Sequence, residues 1–516
     1  MKKKFYITTP IYYPSGRFHI GTAYTTVLSD FLARYKREEG FDVKFLTGID
    51  EHGLKIEKKA KEQGLSPKDY VDKIAKISLE LWEKLNIDKF DFIRTTNPNH
   101  KETVIKIFLK MLANKDIYKG LYKGWYCIPC ESFFTEIQLK NKKCPECGRK
   151  VELLEEETYF FNIKKYEKKL IEIYKKNPNF LLPHFRMQEV MNNFINKGLE
   201  DLCVSRTDTK WGINLPNDDK HVLYVWLDAL CNYLTATGYL TENDSEYKKY
   251  WAPDLQIIGK DIVRFHAIYW PIFLMALDLK LPKKIYSHGF ILMKKDKMSK
   301  SKGNMIYPDD LIDKYGVDAV RYFILKSLPY GNDSDFSPEI FISKYNNDLC
   351  NDLGNLLNRT ISMINKYFDG EIKKTDVDKE LENKVKKIIN KYKENVEKLE
   401  VSNALDVLFD IIRISNKYID IKEPWVLAKD NSRQRELRGV LYHLVENLRI
   451  FSSLIKIAMP DTSENIFNQL GIEKENQYYD GNYGKLRQIK VISKGIPLFE
   501  RLDVESSIDY IKKLTN

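Results

Sequence analysis

The sequence predicts an α/β protein in which a cysteine-bearing insertion interrupts a parallel-sheet domain and an α-helical domain follows. Three observations support this fold class. A strand–loop–helix–strand pattern occupies residues 5–53, two Cys-x-x-Cys pairs lie within residues 127–147, and strand signals largely vanish beyond about residue 340. Because a βαβ unit places its ligand site beyond the carboxyl ends of its strands, residues 5–53 also predict a nucleotide-type crevice.

The first of these patterns has the form of a βαβ unit. An apolar run at residues 5–8 leads through a loop into an amphipathic stretch at 19–39. A second apolar run at 43–46 ends in the polar cluster Asp50-Glu51-His52. We therefore expect this cluster at the strand ends that face a ligand.

Later segments complete the predicted domain order. Residues 100–118 have one apolar helical face, and strand character returns at 221–226 and 255–258, where we expect the sheet domain to resume. Helical periodicity then dominates to about residue 459. The expected segments are the first half of the sheet domain (1–118), the insertion (119–220), the second half (221–285), a loop region (286–340), the helical domain (341–460) and a tail packed on the sheet or helical domain (461–516).

The composition is that of a globular protein with several domains. At roughly 100–200 residues per domain, 516 residues favour more than one core, and 43% hydrophobic with 30% charged residues excludes a disordered chain. Lys and Arg number 84 against 73 Asp and Glu, and the net charge of +11 favours polyanionic partners. The sequence has no export signal, and residues 266–279 are too short to cross a bilayer, so we expect a buried helix there, a cytoplasmic location and no membrane partner.

Two loops carry side chains suited to phosphate. His19-Ile-Gly21 begins the first predicted helix, where backbone N–H groups and the helix dipole favour anions. Lys297-Met-Ser-Lys300-Ser301 places cations and hydroxyls in a short loop, which suits a triphosphate whose charge develops on departing pyrophosphate. A single histidine at a helix start is more often a cap or a core contact, so the interpretation depends on both loops together.

The cysteine pairs predict a metal site. Cys127-Ile-Pro-Cys130 is followed after thirteen residues by Cys144-Pro-Glu-Cys147, which is the knuckle spacing of a tetrahedral Cys₄ zinc site. Four thiolates close the coordination shell and leave no position for a catalytic water. We therefore expect one structural Zn²⁺ per chain.

His19-Ile-Gly21 together with Lys297-Met-Ser-Lys300-Ser301 resembles the two signature motifs of class I aminoacyl-tRNA synthetases. Segments 224–233 and 258–266 are similar to the methionine-pocket segments of the methionyl-tRNA synthetases in that class. The resemblance implies a Rossmann-type parallel-sheet catalytic domain with a zinc-knuckle insertion, a signature-loop and stem-contact region, and an α-helical bundle that binds the anticodon. It also implies a methionine–tRNA ligase, which forms methionyl-adenylate and pyrophosphate from methionine and ATP and then transfers methionine to the 3′-terminal adenosine of tRNA(Met).

The same resemblance implies the site residues. His19, Lys297 and Lys300 would be catalytic, with the lysines pairing pyrophosphate oxygens, and Mg²⁺ would accompany ATP. Thr22 stands where the first motif often has a second histidine. The remaining implied ATP-binding residues are Gly21, Thr22, Gly259, Asp261, Met298, Ser299 and Ser301. The implied methionine-binding residues, whose aromatic members suit a thioether, are Ile11, Tyr13, Asp50, Trp226, Ala229, Tyr233, Ile262 and His266.

Within the helical domain, Asn355, Arg359 and Trp425 match the anticodon-reading positions of methionyl-tRNA synthetases. An amide, a guanidinium and an indole supply the hydrogen bonds and stacking that recognise unpaired bases. The resemblance thus implies that tRNA is bound at its acceptor end and at its anticodon, by a chain that we expect to be monomeric.

Other functions are less consistent with the sequence. Cysteinyl-tRNA synthetase would need a cysteine-rich zinc site in the amino-acid pocket, which Cys231 alone does not make. A small nucleotidyltransferase would leave the insertion and the helical domain without a purpose. A catalytically silent tRNA-binding paralogue would not need His19, Lys297 and Lys300, and it is the alternative that an activity assay has to exclude.

Overall fold

The computed structural model describes residues 2–128, 132–134, 136–145, 147–207, 209–293, 295–298 and 304–514. The chain divides into two compact units. The first unit contains residues up to 18, 36–83 and 87–288, and the second contains 19–35, 84–86 and the chain from 289 onward.

Up to residue 288 the chain alternates strands and helices. The strands are β1 (Lys4–Tyr12), β2 (Asp42–Ile49), β3 (Asp91–Arg94), β4 (Ile117–Cys127), β5 (Ser132–Phe134), β6 (Glu152–Phe161), β7 (Leu181–Leu182), β8 (Leu202–Cys203), β9 (Ser205–Arg206), β10 (Asn214–Leu215), β11 (Asp218–Leu223), β12 (Leu255–Gly259) and β13 (Ile285–His288). The helices are α1 (Ile20–Glu38), α2 (Leu54–Glu62), α3 (Pro67–Lys84), α4 (Pro98–Ala113), α5 (Lys164–Lys176), α6 (His184–Asn193), α7 (Val225–Leu230), α8 (Asn232–Thr235), α9 (Ser245–Tyr250) and α10 (Trp270–Ala276).

From residue 289 onward helices dominate. Three short strands form one small sheet and two form another; these strands are β14 (Ile291–Met293), β15 (Asp296–Lys297), β16 (Ser334–Phe336), β17 (Glu371–Lys373) and β18 (Gln488–Lys490). The helices are α11 (Pro308–Tyr315), α12 (Val317–Ser327), α13 (Pro338–Lys344), α14 (Asn355–Phe368), α15 (Lys379–Glu397), α16 (Val401–Lys422), α17 (Pro424–Leu427), α18 (Gln434–Ile455), α19 (Pro460–Leu470) and α20 (Val504–Leu514).

The core of the first unit is a parallel sheet. Its described strands have the order β3-β2-β1-β12-β13-β7, and every neighbouring pair is parallel. In β1, Tyr6 and Ile7 have no exposed surface, as expected for a central strand covered on both faces. The chain extends the sheet from β1 through β2 to β3 on one side and from β12 to β13 on the other. The strand order therefore reverses between β1 and β12, where parallel sheets of this kind bind ligands.

Two strands differ from the sequence-based expectation. Residues 221–226 were expected to resume the parallel sheet, which is wrong: β11 pairs with β9 and β10 in a small antiparallel sheet. A tight turn at Pro216-Asn217, with φ of 65° at Asn217, joins β10 to β11 and so fixes the antiparallel pairing. Conversely, Leu181–Leu182 lies inside the expected insertion but forms the edge strand β7 of the main sheet. Two residues are too few to give a periodic signal.

The cysteine segment forms its own antiparallel sheet. Its described strands have the order β5-β4-β6-β8, with β4 and β6 paired from Ile117↔Phe161 to Tyr126↔Glu152. Cys127 is the last residue of β4, so the strand carries the first thiol to one end of this sheet. The insertion thus begins with a strand at Ile117, two residues before the expected boundary.

The predicted helices are present. The stretch expected at 19–39 forms α1. The stretch expected at 100–118 forms α4, which ends at Ala113, and its last two residues begin β4. The stretch expected at 266–279 forms a buried helical segment from 265 to 276, which begins with π-helical residues. No helix within the described residues is long and apolar enough to span a membrane. In the second unit, α16 packs against α15 and α18, as expected for a bundle. Helical structure continues past the expected limit at about residue 459, because Pro460 is the first residue of α19, a position that proline favours.

Candidate active site

The carboxyl ends of the parallel strands bring several expected site residues together in the first unit. The backbone N–H of Asp50, just beyond β2, donates to the carbonyl of Tyr12 at the end of β1 (2.9 Å). Asp50 is 7% exposed, and Tyr13 follows β1 with the Lys55 ammonium 5.0 Å from its ring centroid. Ile11 lies opposite Gly48 on the neighbouring strand. An anionic side chain therefore lies beside the point where the strand order reverses.

A buried hydrogen-bonded chain joins three of the expected methionine-binding residues. The Tyr233 hydroxyl lies 2.7 Å from His266 Nε2, and His266 Nδ1 lies 3.0 Å from the carbonyl of Ile262. Because the carbonyl only accepts, the ring carries its proton on Nδ1, and Nε2 accepts from the hydroxyl. Burial lowers the pKa of His266 to about 4, so the imidazole is neutral at physiological pH.

Aromatic rings surround this chain. The Trp226 indole is stacked on Phe265, with centroids 3.5 Å apart and planes 7° apart, and the Tyr233 ring lies 5.6 Å from that of Trp270. The Trp226 Nε1 is buried and has no hydrogen-bond partner among the described residues. Ala229, also buried, lies between Trp226 and Tyr233 in the sequence. A wall of rings and a neutral histidine suits an uncharged, polarisable side chain.

Gly259 and Asp261, two expected ATP-binding residues, lie together at the end of β12. A Cβ at Gly259 would lie 2.7 Å from Asp261 Oδ1. The carboxylate can therefore approach the backbone this closely only because residue 259 is glycine. Asp261 is exposed, which leaves its carboxylate accessible to a ligand hydroxyl.

Three buried residues of the first unit had no expected role. His52 Nδ1 lies 2.6 Å from one oxygen of Asp228, and His100 Nε2 lies 2.7 Å from the other. The only sequence signal was the polar cluster at residues 50–52. Nothing in the sequence indicated that His100 and Asp228 would meet it.

In the second unit, the first signature motif has a defined geometry. His19 Nδ1 accepts the backbone N–H of Gly21 (3.0 Å), so the neutral ring carries its proton on Nε2. A Cβ at Gly21 would lie 2.9 Å from the His19 ring, which explains the glycine. The N–H of Ile20 donates to the carbonyl of Ile306 (3.0 Å), just beyond the lysine-rich loop. The structure therefore joins the two signature motifs.

The described part of the lysine-rich loop begins on a hairpin. Lys297 ends β15, and its ammonium lies 4.2 Å from the centroid of the Phe290 ring. Met298 is 4% exposed, so its side chain anchors the loop, and only its backbone is available to a ligand. Ser299, Lys300 and Ser301 lie outside the described residues.

Three of the four expected zinc ligands form a cluster. The Sγ atoms of Cys127, Cys144 and Cys147 lie within 4.8 Å of one another, and those of Cys127 and Cys147 are 3.5 Å apart. Zinc–sulfur bonds of about 2.3 Å in a tetrahedron place sulfurs about 3.8 Å apart, so the cluster fits a zinc ion. Gly148, at φ 71°, donates its N–H to the Cys144 carbonyl and turns the chain around the site. Cys130 lies outside the described residues.

The three expected anticodon residues lie on helices of the second unit. Asn355 and Arg359 lie one turn apart on α14, and an Arg359 amino group lies 3.4 Å from Asp420 on α16. Trp425, on α17, is 41% exposed and has exposed apolar neighbours in Ile421 and Val426. An exposed indole of this kind is available for stacking with a base.

Comparison with known proteins identifies the family. The chain matches the model described as tRNA synthetases class I (M) over residues 5–154 and 136–361, and that of the anticodon-binding domain of tRNA ligases over 378–514. It is 52% identical to the methionine–tRNA ligase of Bacillus subtilis (strain 168) over 527 residues, which cover 98% of the chain and 79% of that relative. The chain is a member of the methionyl-tRNA synthetase family. The enzyme class and the fold class expected from the sequence are confirmed.

Solved structures of methionyl-tRNA synthetases support the same family assignment. Mycobacterium tuberculosis methionyl-tRNA synthetase in complex with methionyl-adenylate is similar at a TM-score of 0.91 and 36% identity, over 97% of this chain and 100% of that one. The apo form of that enzyme is similar at 0.85 and 34%, over 98% and 99%. The methionine–tRNA ligase of Caldanaerobacter subterraneus is 51% identical and covers 100% of this chain.

Proposed function

We propose that the chain is a methionine–tRNA ligase. It activates L-methionine with ATP and transfers the methionyl group to tRNA(Met). The observation that supports this most strongly is the similarity, over 97% of the chain, to a synthetase that holds methionyl-adenylate. The neutral, aromatic character of the pocket around Tyr233 and His266 supports methionine as the amino acid. No feature of the residues that the structure describes favours the silent paralogue.

Methionine binding uses both ends of the substrate. The Asp50 carboxylate forms an ion pair with the ammonium group. The thioether lies among Tyr233, Ile262 and the Trp226 ring, where sulfur–aromatic contacts each contribute about 0.3–1.5 kcal/mol. His266 stays neutral and holds the Tyr233 hydroxyl, so no charge faces the sulfur. Ile11, Tyr13 and Ala229 complete the pocket.

Activation needs stabilisation of developing charge more than covalent catalysis. An oxygen of the methionine carboxylate attacks the α-phosphorus of ATP, and the bond to the β-phosphate breaks as pyrophosphate leaves. His19 donates from Nε2 to a phosphate oxygen at the start of α1, and Lys297 and Lys300 pair the pyrophosphate charge. The other ATP contacts come from the backbone or side chains of Gly21, Thr22, Gly259, Asp261, Met298, Ser299 and Ser301. Mg²⁺ bound with the triphosphate would neutralise part of its charge.

Transfer and tRNA binding complete the cycle. A ribose hydroxyl of the 3′-terminal adenosine attacks the carbonyl carbon of methionyl-adenylate, and AMP leaves. Asn355, Arg359 and Trp425 bind anticodon bases by hydrogen bonds and stacking. A structural Zn²⁺ on Cys127, Cys130, Cys144 and Cys147 would hold the insertion in shape. The monomeric state and the cytoplasmic location stay predictions.

Aminoacylation tests the proposal. Incubated with ATP, Mg²⁺, unfractionated tRNA and radiolabelled methionine, the protein should form acid-precipitable methionyl-tRNA, and omission of ATP should abolish it. Adenylate formation without transfer would support only the first half of the proposal. Binding of tRNA without any adenylate would support the silent paralogue instead.

A further inference from the structure

We propose that the buried cluster His52–Asp228–His100 is a positioning device that sets the distance between the ammonium end and the thioether end of the methionine pocket. The device selects amino acids by side-chain length. The proposal rests on the proposed function, because it concerns the same pocket.

The cluster is buried. One oxygen of Asp228 lies 2.6 Å from a ring nitrogen of His52, and its other oxygen lies 2.7 Å from a ring nitrogen of His100. The side chains of all three residues are no more than 2% exposed. A carboxylate only accepts, so His52 is protonated on Nδ1 and His100 on Nε2. Burial acts to raise the pKa of Asp228, but the two imidazoles outweigh it and hold that pKa at about 2.

Each member of the cluster belongs to a different element. His52 lies two residues after Asp50, beyond β2, and Asp228 lies on α7 between Trp226 and Ala229. His100 lies on α4, and its second nitrogen lies 2.8 Å from the Thr235 hydroxyl on α8. The cluster thus joins the strand end that carries the ammonium partner to the helices that carry the aromatic wall.

Other contacts also hold the two ends of the pocket. The backbone of Asp50 is held by Tyr12, and the Tyr233 backbone carbonyl accepts from the Tyr6 hydroxyl on β1 (3.1 Å). Neither contact holds α7 at the level of Trp226 and Ala229. The carboxylate of Asp228, which accepts a hydrogen bond on each oxygen, holds α7 at this level. Movement of α7 would break one of these bonds, and a buried charge that loses one partner is strongly destabilised. The position of α7 relative to Asp50 is therefore fixed.

Loss of this link should change the selectivity for the amino acid more than it changes ATP binding. In Asp228→Ala, α7 loses its tie to β2 and α4, and we expect KM for methionine to rise about tenfold or more, since a misplacement of about 1 Å can cost about 10²-fold. The kcat/KM preference for methionine over ethionine and S-methylcysteine should fall by about tenfold, the range that one methylene determines in an apolar pocket. KM for ATP should stay at the wild-type value.

The experiment is ATP–pyrophosphate exchange by the full chain with these three amino acids. Asp228→Asn is the conservative variant: its amide accepts from one ring and donates to the other after a change of tautomer, so it should restore most of the selectivity. His52→Gln and His100→Gln should give intermediate losses. The matched control is His443→Gln, a buried histidine of the second unit that accepts the backbone N–H of Asp378, which should leave selectivity unchanged.

The proposal is overturned if folded Asp228→Ala or either His→Gln variant keeps the wild-type KM for methionine and the wild-type selectivity while only its melting temperature falls. It is also overturned if KM for methionine and KM for ATP rise together, because that result indicates a general loss of structure. An absence of methionine-dependent exchange by the wild-type chain would instead contradict the proposed function.

Discussion

At the scale of single residues, the neutral state of His266 is the feature with the clearest electrostatic consequence. Its folded pKa of about 4 lies below the ordinary value of 6.5. Between these two pH values the unfolded chain binds more protons at this residue than the folded chain does. Stability contributed by the neutral histidine is therefore complete above pH 6.5 and is lost as the pH falls toward 4.

The direction of this pH dependence can be measured by urea unfolding. We expect the urea midpoint of the wild-type chain to fall more steeply between pH 6.5 and 4.5 than that of His266→Gln, whose amide does not titrate. Equal pH dependence in the two proteins would mean that His266 is not held neutral.

A second residue-scale prediction concerns His19. Since we propose that its Nε2 donates to phosphate, His19→Ala should lower the rate of ATP–pyrophosphate exchange by about 10²–10³-fold with little change in melting temperature. His184→Ala, which removes an exposed histidine of α6, is the control and should retain the wild-type rate. A near-normal rate in His19→Ala would exclude the phosphate role.

Residue chemistry was predictable where it is local in sequence. The helix start at residues 19–21 and the clustering of Cys127, Cys144 and Cys147 could be predicted because a short motif fixes its own geometry. The His52–Asp228–His100 cluster could not be found this way. Asp228 lies 176 residues from His52 and 128 from His100, so their meeting depends on the packing of β2, α4 and α7.

At the scale of elements, the insertion tests the role of the metal. Cys144→Ser should abolish the single bound zinc that we expect per chain and lower the melting temperature, because structural zinc contributes directly to folding. Cys350→Ser, outside the cluster, should keep the metal. Atomic emission on the purified proteins measures the zinc content, and a full complement of zinc in Cys144→Ser would contradict the assignment.

A buried ion pair joins elements of the second unit. An Arg321 amino group lies 2.7 Å from Asp30 on α1 with both side chains fully buried, and Arg321 also donates to the carbonyls of Leu85, Ile457 and Ala458. Arg321→Met should lower the free energy of unfolding of this unit by about 3–5 kcal/mol, because it removes one of the two arginines that pair with buried Asp30, the other being Arg34, and leaves three carbonyls without this donor.

Urea unfolding followed by circular dichroism measures this loss. The matched control is Arg433→Met, which breaks an exposed pair with Glu436 and should cost no more than about 1 kcal/mol. A loss in Arg321→Met as small as that of the control would mean that Arg321 does not support the unit. The sequence did not indicate this pair, since residues 30 and 321 share no local pattern.

Elements themselves were predicted unevenly. The long, strongly patterned segments α1 and α4 were found because many apolar positions repeat within each, although α4 ends at Ala113 rather than at residue 118. The apolar residues of β11 could not reveal whether their partners were parallel or antiparallel. That choice was made by the turn at Pro216-Asn217, whose geometry depends on one residue at positive φ.

At the scale of the whole molecule, activation and tRNA recognition should be separable. Trp425→Ala should leave ATP–pyrophosphate exchange unchanged but raise KM for tRNA in aminoacylation by about tenfold, since base stacking contributes about 1–3 kcal/mol per base. Tyr478→Ala, an equally exposed aromatic residue of the second unit, should leave both reactions unchanged. Equal KM values for tRNA in wild type and Trp425→Ala would remove this residue from the anticodon site.

The most direct test of the whole account is ATP–pyrophosphate exchange without tRNA, with methionine, cysteine, leucine, isoleucine and valine compared as substrates. We predict exchange with methionine far above that with the other four, because only methionine combines an unbranched chain with a polarisable thioether. Strong exchange with another of these amino acids would contradict the pocket assignment. An absence of exchange with all five amino acids would contradict the proposal that the chain is a methionine–tRNA ligase.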